Sequence, residues 1–214
     1  MKKKIVFIMN PISGTSSKAA VPSLIDSTLD KEQFEYEIKM TERPGHASEL
    51  AAEARDNHAD IVVAVGGDGT VNEVARSLVH SDSALGILPC GSGNGLARHL
   101  LLPMNLKKSI EIINACEIHD LDYGVINEYP FFCTCGMGFD AFVSMKFAES
   151  GKRGPISYAE NILREGLKYE PETYTLEDET GTKQYKAFLI SCANASQYGN
   201  NAYIAPQASM SDGL

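Results

Sequence analysis

Two rhythms of apolar and polar residues run along the chain of 214 residues. Residues 4–9, 61–65 and 84–88 are short apolar runs, the pattern of strands buried on both faces of a parallel sheet. Residues 34–40 alternate instead, with Phe34, Tyr36, Ile38 and Met40 on one side, and read as a further strand. Helices are predicted between them. Residues 19–29 and 46–56 form two, the second with Leu50, Ala51 and Ala54 on one face. After residue 65, Val71, Val74, Ala75, Leu78 and Val79 recur at helical spacing. Thr70 and Glu73 precede that face at the spacing of a capping box. Residues 96–102 read as a short helix with Asn94 as N-cap, and Asn105 is placed to cap a helix carrying Leu106, Ile110 and Ile113.

The strand–helix alternation fades near residue 125. Residues 118–125 read as extended, with Asp120 and Asp122 on one face. Residues 131–135 form a strand closed by Gly136, Met137 and Gly138. Residues 139–149 and 156–168 read as helices, and 174–178 and 185–193 as strands joined by a turn at Thr180 and Gly181. The expected organisation is an α/β nucleotide domain over 1–125, followed by a β-rich domain over 126–214 with too few strands to cover itself. Its strand edge near 185–193 predicts self-association.

The chemistry concentrates where the apolar runs stop. The strand at 61–65 runs into Gly66, Gly67, Asp68 and Gly69, where glycines permit a tight turn and close approach of a ligand, and a helix then begins. Helix N-termini attract anions through free N–H groups and the helix dipole. Asp68 sits inside such a site, and a carboxylate tolerates a phosphate beside it when a divalent cation lies between them. The stretch therefore predicts a nucleotide phosphate with Mg2+; the plain alternative is a glycine-rich turn with a solvated aspartate. A second turn of this kind, Pro89 to Gly95, follows 23 residues after Gly66. The polar loop at 10–17 ends the first strand, and in open α/β sheets ligands bind at such ends.

Composition narrows the partners. A formal net charge of −9 argues against a nucleic-acid groove, which needs a basic field. No apolar run approaches the roughly 20 residues of a membrane span, and residues 5–9 are too short for a secretory core. The five cysteines are an odd number in apolar surroundings, read as reduced, mostly buried thiols of a cytoplasmic protein.

Four motifs now stand in order: Asn-Pro-x-Ser-Gly at 10–14, Gly-Gly-Asp-Gly-Thr-x-Asn-Glu at 66–73, Gly-Ser-Gly-Asn at 91–94 and Gly-x-Gly-x-Asp at 136–140. Together they resemble the diacylglycerol kinase and sphingosine kinase catalytic family, including its bacterial lipid-kinase members. The Gly-Gly-Asp-Gly-Thr element alone is shared with NAD kinases. The resemblance implies a NAD kinase-like Rossmannoid nucleotide domain followed by a β-sandwich-like domain, here incomplete. It implies ATP and Mg2+ as cofactors and a lipid hydroxyl of the diacylglycerol or sphingoid-base class as acceptor, met by peripheral association with a membrane surface, with the protein cytoplasmic between encounters. By motif, Asn10, Ser13, Gly14, Thr41, Gly66, Gly67, Asp68, Gly69, Thr70, Asn72, Glu73, Gly91, Ser92, Gly93 and Asn94 would meet ATP. Asp68 would be catalytic and tied to Mg2+ through water, with Asp122 its acidic partner, and Ser209, Asp212 and Leu214 would hold a structural Mg2+. Association with a membrane would need a local apolar or basic patch, for which the candidate is the stretch 139–153, where Lys146, Lys152 and Arg153 gather; the alternative is that these are ordinary helix-surface charges. Thr15 stands where bacterial relatives often carry Lys, leaving Lys18 as the nearest cation. Family members continue to a Gly-Glu motif resembling the general base, so the base is expected beyond Leu214 and the isolated chain is expected to fold without turning over. The alternatives are an NAD kinase-like enzyme and a nucleotide-binding module without activity.

Overall fold

The computed structural model of the chain describes residues 2–14, 18–142, 145, 166 and 169–213. They divide into two units, Met1–Cys133 with Asn194–Leu214, and Thr134–Ala193.

The first unit is built on a parallel sheet. Strand β1 (Lys3–Met9) lies between β2 (Phe34–Met40) and β3 (Ile61–Gly66), with β4 (Ala84–Pro89) outside β3. Because neighbouring side chains in a strand point to opposite faces, β1 and β3 feed two cores. Ile5, Phe7, Met9, Ile61, Val63 and Val65 pack with Val21 and Ile25 of α1 (Val21–Thr28) and with Ile110 and Ile113 of α5 (Leu106–Ala115). Val6, Ile8, Val62 and Ala64 pack on the other face, with Ala47, Ala51 and Ala54 of α2 (His46–Asp56) and with Val71, Val74 and Leu78 of α3 (Asp68–Leu78). Each fully buried large side chain contributes about 1.5–3 kcal/mol, against about 0.5–1.5 kcal/mol net for a hydrogen bond. The double core therefore outweighs the ladder bonds in fixing this sheet.

Several helix ends differ from the sequence expectation. Helix α3 opens at Asp68, with an extended Gly67 as N-cap and no side-chain cap, so Thr70 lies inside the helix and the Thr70–Glu73 capping box does not form. The short α4 (Gly95–His99) follows Asn94, whose left-handed backbone starts the helix while its side chain makes no cap bond. At α5 the expected cap is present: Asn105 Oδ1 accepts from Lys108 N at 3.1 Å.

The run at 118–125 is not a strand. Residues 117–123 carry no regular structure, and pairing begins only with the hairpin of β5 (Gly124–Ile126) and β6 (Tyr129–Phe131). The expected strand at 131–135 is broken after Phe131. Cys133 instead offers its carbonyl to the N–H groups of Asn194 and Ala195, at 3.0 and 2.8 Å. Residues 194–213 thus return to the α/β unit, which departs from a continuous domain ending at residue 125.

In the second unit, β7 (Thr134–Gly138) pairs antiparallel with β10 (Leu189–Ala193). Strands β8 (Glu172–Asp178) and β9 (Gly181–Ala187) form a hairpin whose turn is closed by Asp178 Oδ1, which accepts from Thr180 N at 2.7 Å and from Thr180 Oγ1 at 2.6 Å. The strand expected over 185–193 is divided between β9 and β10. Phe139, Tyr169 and Phe188 cluster, the Phe139 and Phe188 rings 4.4 Å apart. The helices expected at 139–149 and 156–168, and the basic patch of Lys146, Lys152 and Arg153, fall largely or wholly outside the described residues. Among the described residues no helix is long and apolar enough to cross a membrane. The cysteines are free but less buried than expected: Cys192 is exposed and the other four are intermediate.

Candidate functional site

The loops that follow β1, β2, β3 and β4 leave one edge of the sheet, because the strands are parallel. Hydrogen bonds carry the ladder past the strand ends. Asn10 N donates to Val65 O at 3.1 Å, Thr41 N to Met9 O at 2.9 Å, and Cys90 N to Gly66 O at 2.7 Å. The motif residues of all four loops therefore start side by side, although they are as much as 80 positions apart in sequence.

The glycine turns touch backbone to backbone. A Cβ on Gly91 would stand 2.3 Å from the Gly67 Cα, and one on Gly14 would stand 2.1 Å from the Cys90 carbonyl oxygen. Gly14 also has a positive φ of 72°, a conformation glycine adopts without strain. Asn94 shapes the second turn from within: its Oδ1 accepts from Gly91 N and its Nδ2 donates to Gly91 O, both at 2.9 Å. Asn10 Nδ2 donates to Thr70 Oγ1 at 3.4 Å, tying the first loop to α3. Ser13 is held by the buried Lys18, whose ammonium donates to Ser13 Oγ at 2.7 Å and to the Ser13 carbonyl.

Asp68 is the first residue of α3, and its carboxylate lies against the second turn: a Cβ on Gly93 would stand 3.0 Å from its Oδ2. Burial raises its pKa above the ordinary carboxylate value, opposed by the nearby backbone N–H groups of Gly95, Leu96 and Asn94.

Glu73 is committed elsewhere. Its Oε1 accepts from Gly45 N at 3.1 Å and its Oε2 from Ala47 N at 3.2 Å, so it caps α2 across the gap between helices. Thr41 is buried, Asn72 half-buried and Ser92 exposed. Beside Ser92, a cavity of about 340 Å³ is lined by Lys18, Gly91, Asn94, Arg98 and Met104.

Asp122 belongs to the terminal segment. Its Oδ2 accepts from Gly213 N at 2.8 Å, its N–H donates to Met210 O at 2.7 Å, and its carbonyl accepts from Asn194 Nδ2 at 2.8 Å. Its described hydrogen bonds thus reach Ser209 and Asp212's loop and not Asp68. Ser209 Oγ accepts from Ser211 N at 3.3 Å. Leu214 lies outside the described residues. Among the described residues no three His, Cys, Asp or Glu side chains converge as a metal cluster.

Residues 194–204 support the second turn, and no local pattern announced them. A Cβ on Gly199 would stand 2.7 Å from the Gly93 carbonyl carbon, and Asn200 N donates to Gly93 O at 3.2 Å. His99 of α4 accepts from Ser196 N at Nδ1 over 3.1 Å.

This arrangement suits a phosphate. Helix geometry leaves the N–H groups of the first turn of α3 without intrahelical acceptors, and a Cβ placed on Gly69 would meet nothing within 4 Å, so open space adjoins them. A divalent cation fits less directly: among the described residues no three His, Cys, Asp or Glu side chains converge, which favours contact through water.

Comparison with known proteins agrees in several ways. Residues 4–126 match the family model described as the diacylglycerol kinase catalytic domain. Residues 133–214 match the one described as the YegS C-terminal NAD kinase beta sandwich-like domain. The probable lipid kinase YegS of Escherichia fergusonii is 30% identical over 193 residues, covering 87% of this chain and 64% of that protein. Lipid kinase YegS of Escherichia coli K12 is 29% identical over the same coverage. The chain thus spans just under two thirds of the length of these curated relatives. Among solved structures, a putative diacylglycerol kinase from Bacillus anthracis str. Sterne superposes with a TM-score of 0.77 at 22% identity, over 99% of this chain and 72% of that one. A second structure of a diacylglycerol kinase from that strain gives 0.75 at 23% identity over 99% and 71%.

Proposed function

The chain belongs to the diacylglycerol kinase catalytic domain family, and on that premise we propose that it serves an ATP- and Mg2+-dependent lipid kinase acting on a lipid hydroxyl of the diacylglycerol or sphingoid-base class. The observation that carries the reading is the backbone contact of Gly67 with Gly91, which merges two glycine turns beside the open first turn of α3. A dianionic phosphate finds N–H donors and a favourable dipole there.

In this reading Asn10, Ser13, Gly14, Thr41, residues 66–70, Asn72 and residues 91–94 surround the nucleotide. Lys18 fixes Ser13 and adds positive charge to the first loop. Glu73 acts indirectly, by fastening α2 to α3. Mg2+ would supply charge neutralisation for the phosphate, and Asp68 would hold it through water. The backbone contact of Gly67 with Gly91 sets the phosphate loops before the nucleotide arrives, as electrostatic stabilisation without reorganisation requires. Ser209, Asp212 and Leu214, with Asp122 bracing their loop, are proposed to hold a structural Mg2+. The lipid is proposed to be met by peripheral contact with a membrane surface.

The test, made on a version of the protein extended through the family's Gly-Glu motif, is transfer of labelled γ-phosphate from ATP to a panel of diacylglycerols, sphingoid bases and NAD in the presence of Mg2+. Label on a lipid that disappears in Asp68→Asn supports the proposal. Label on NAD alone overturns the lipid assignment, and nucleotide binding with no acceptor labelled leaves a binding module.

A further inference from the structure

Cys135 and Cys192 stand directly opposite each other in the antiparallel pair of β7 and β10. Opposed residues in such a pair project from the same face, with Cα atoms about 4.5–5.5 Å apart. A disulfide spans Cα separations of about 4.4–6.8 Å. The register needed for a cross-link is therefore already in place. It is also firmly held: a Cβ on Gly136 would stand 2.7 Å from the Ile190 carbonyl oxygen, and one on Gly138 would stand 2.7 Å from that of Phe188, so the two backbones are in close contact in the ladder that follows Cys135.

We propose that Cys135 and Cys192 form a thiol-oxidation site that closes to an intramolecular disulfide by exchange with a low-molecular-weight disulfide. The exposed Cys192 is the entry point. Its thiolate attacks one sulfur of the reagent, the reagent's S–S bond breaks, and the first small thiol leaves with a proton. The Cys135 thiolate then attacks the Cys192 sulfur of the mixed disulfide and expels the second small thiol. Two protein thiols are oxidised, one reagent disulfide is reduced to two thiols, and no other reactant enters.

The remaining cysteines lack this arrangement. Cys133 donates to Gln197 O at 3.2 Å, and burial, with the Asp68 charge, pushes its thiol up to about 12. Burial also raises the Cys90 thiol. Cys116 ends α5 and accepts from the Lys3 ammonium. Burial, the facing Cys192 and Asp140 raise Cys135, so it suits the second, resolving step better than the first.

The bond sits at a structural gateway. Thr134 and Ala193, opposite each other one register step away, are where the chain enters and leaves the second unit. Oxidation would close residues 135–192 into a covalent loop and restrict the unfolded chain.

The proposal does not depend on the kinase reading. The experiment is titration of the native protein with oxidised and reduced glutathione, read by intact mass, differential alkylation and peptide mapping. The expected product has lost two hydrogens and links the peptides of Cys135 and Cys192. It should show slower amide exchange in β7 and β10 and a raised Tm, reversed by dithiothreitol. Cys135→Ser should stop at the glutathione adduct on Cys192. A cross-link to any other cysteine, a lasting adduct on Cys192 of the wild-type protein, or no reaction at either thiol would overturn it. Differential alkylation of the wild-type chain reads the outcome even where a serine variant fails to fold.

Discussion

Gly67 and Gly91 lie Cα against backbone, with no room for a methyl group: a Cβ on Gly91 would be 2.3 Å from the Gly67 Cα and 2.8 Å from Asn94 Oδ1. The Gly67 Cα is backbone and cannot swing aside as the Asn94 side chain could, so Gly91→Ala must push the two turns apart. The expected destabilisation is about 1–3 kcal/mol, read as a lower urea midpoint. Displacing the phosphate donors by even about 1 Å should cost on the order of 10²-fold in γ-phosphate transfer.

Gly69→Ala should separate stability from binding. The site is inside α3 and a Cβ there meets nothing within 4 Å. Alanine in a helix is favoured over glycine by roughly 0.5–1 kcal/mol, so Tm should rise. The added methyl occupies the space beside the free N–H groups, so nucleotide affinity should fall. A variant that gains stability and keeps full affinity would move the phosphate away from this turn.

Asp68 carries two roles that substitution can divide. Asp68→Ala removes the buried carboxylate that the backbone N–H groups of Gly95, Leu96 and Asn94 favour, with an expected loss of about 1–3 kcal/mol, the cost of a buried donor left without an acceptor. Asp68→Asn keeps an acceptor and should stay closer to wild type in stability while losing γ-phosphate transfer. The pH response follows from the raised carboxyl pKa. The folded protein binds more protons than the unfolded chain between the ordinary aspartate value and the folded one. This group's contribution to stability therefore falls as pH rises through that window, and Asp68→Asn should remove the dependence. Urea titrations of both variants across acidic pH check the sign.

Glu73→Ala should loosen α2 rather than abolish nucleotide binding, since both carboxylate oxygens cap Gly45 and Ala47. Loss of an N-terminal cap costs about 0.5–2 kcal/mol. Hydrogen exchange should quicken first in residues 45–48, with nucleotide affinity changing less than in Asp68→Asn. The reverse ranking would return Glu73 to direct contact with the ligand.

His99 predicts acid sensitivity at the same site. Burial lowers its pKa, and Nδ1 already accepts from Ser196 N, so a proton there would set two donors face to face. The unfolded chain binds more protons than the folded one below the ordinary histidine value. Stability is therefore complete above that value and declines as pH falls through it. Tm measured from neutral to mildly acidic pH should fall more steeply in wild type than in His99→Asn, whose side-chain oxygen can accept from Ser196 without titrating.

The four parallel strands are legible in the chain because burial on both faces leaves an apolar run with few interruptions, as in β1 and β3. Strand β2 and helix α2 match their expected ranges, 34–40 and 46–56, and Asn105 caps as its local spacing demands. The misreadings share a cause. Glu73 and Thr70 have capping-box spacing, but Gly67 lets the helix start earlier and Glu73 finds partners 26 and 28 positions away. The run at 118–125 has strand-like composition without a neighbouring ladder, and composition carries no information about a neighbour. The support of Gly93 by Gly199 is a contact across 106 positions, with a single glycine as its only local mark.

The order β2-β1-β3-β4 also bears on how the chain assembles during synthesis. Strand β1 is made first, yet it is flanked on both edges, by β2 and by β3. As residues emerge from the ribosome, the apolar run at 5–9 must wait for residues 34–40 to cover one edge and for 61–66 to cover the other. The Asn10 loop can take its place only then, since Asn10 N is held by Val65 O. Contacts of such sequence separation form late because loop closure precedes their reward. The nascent chain therefore exposes the apolar run of β1 while the proposed phosphate site is still unmade, an interval in which a holding chaperone would find its target.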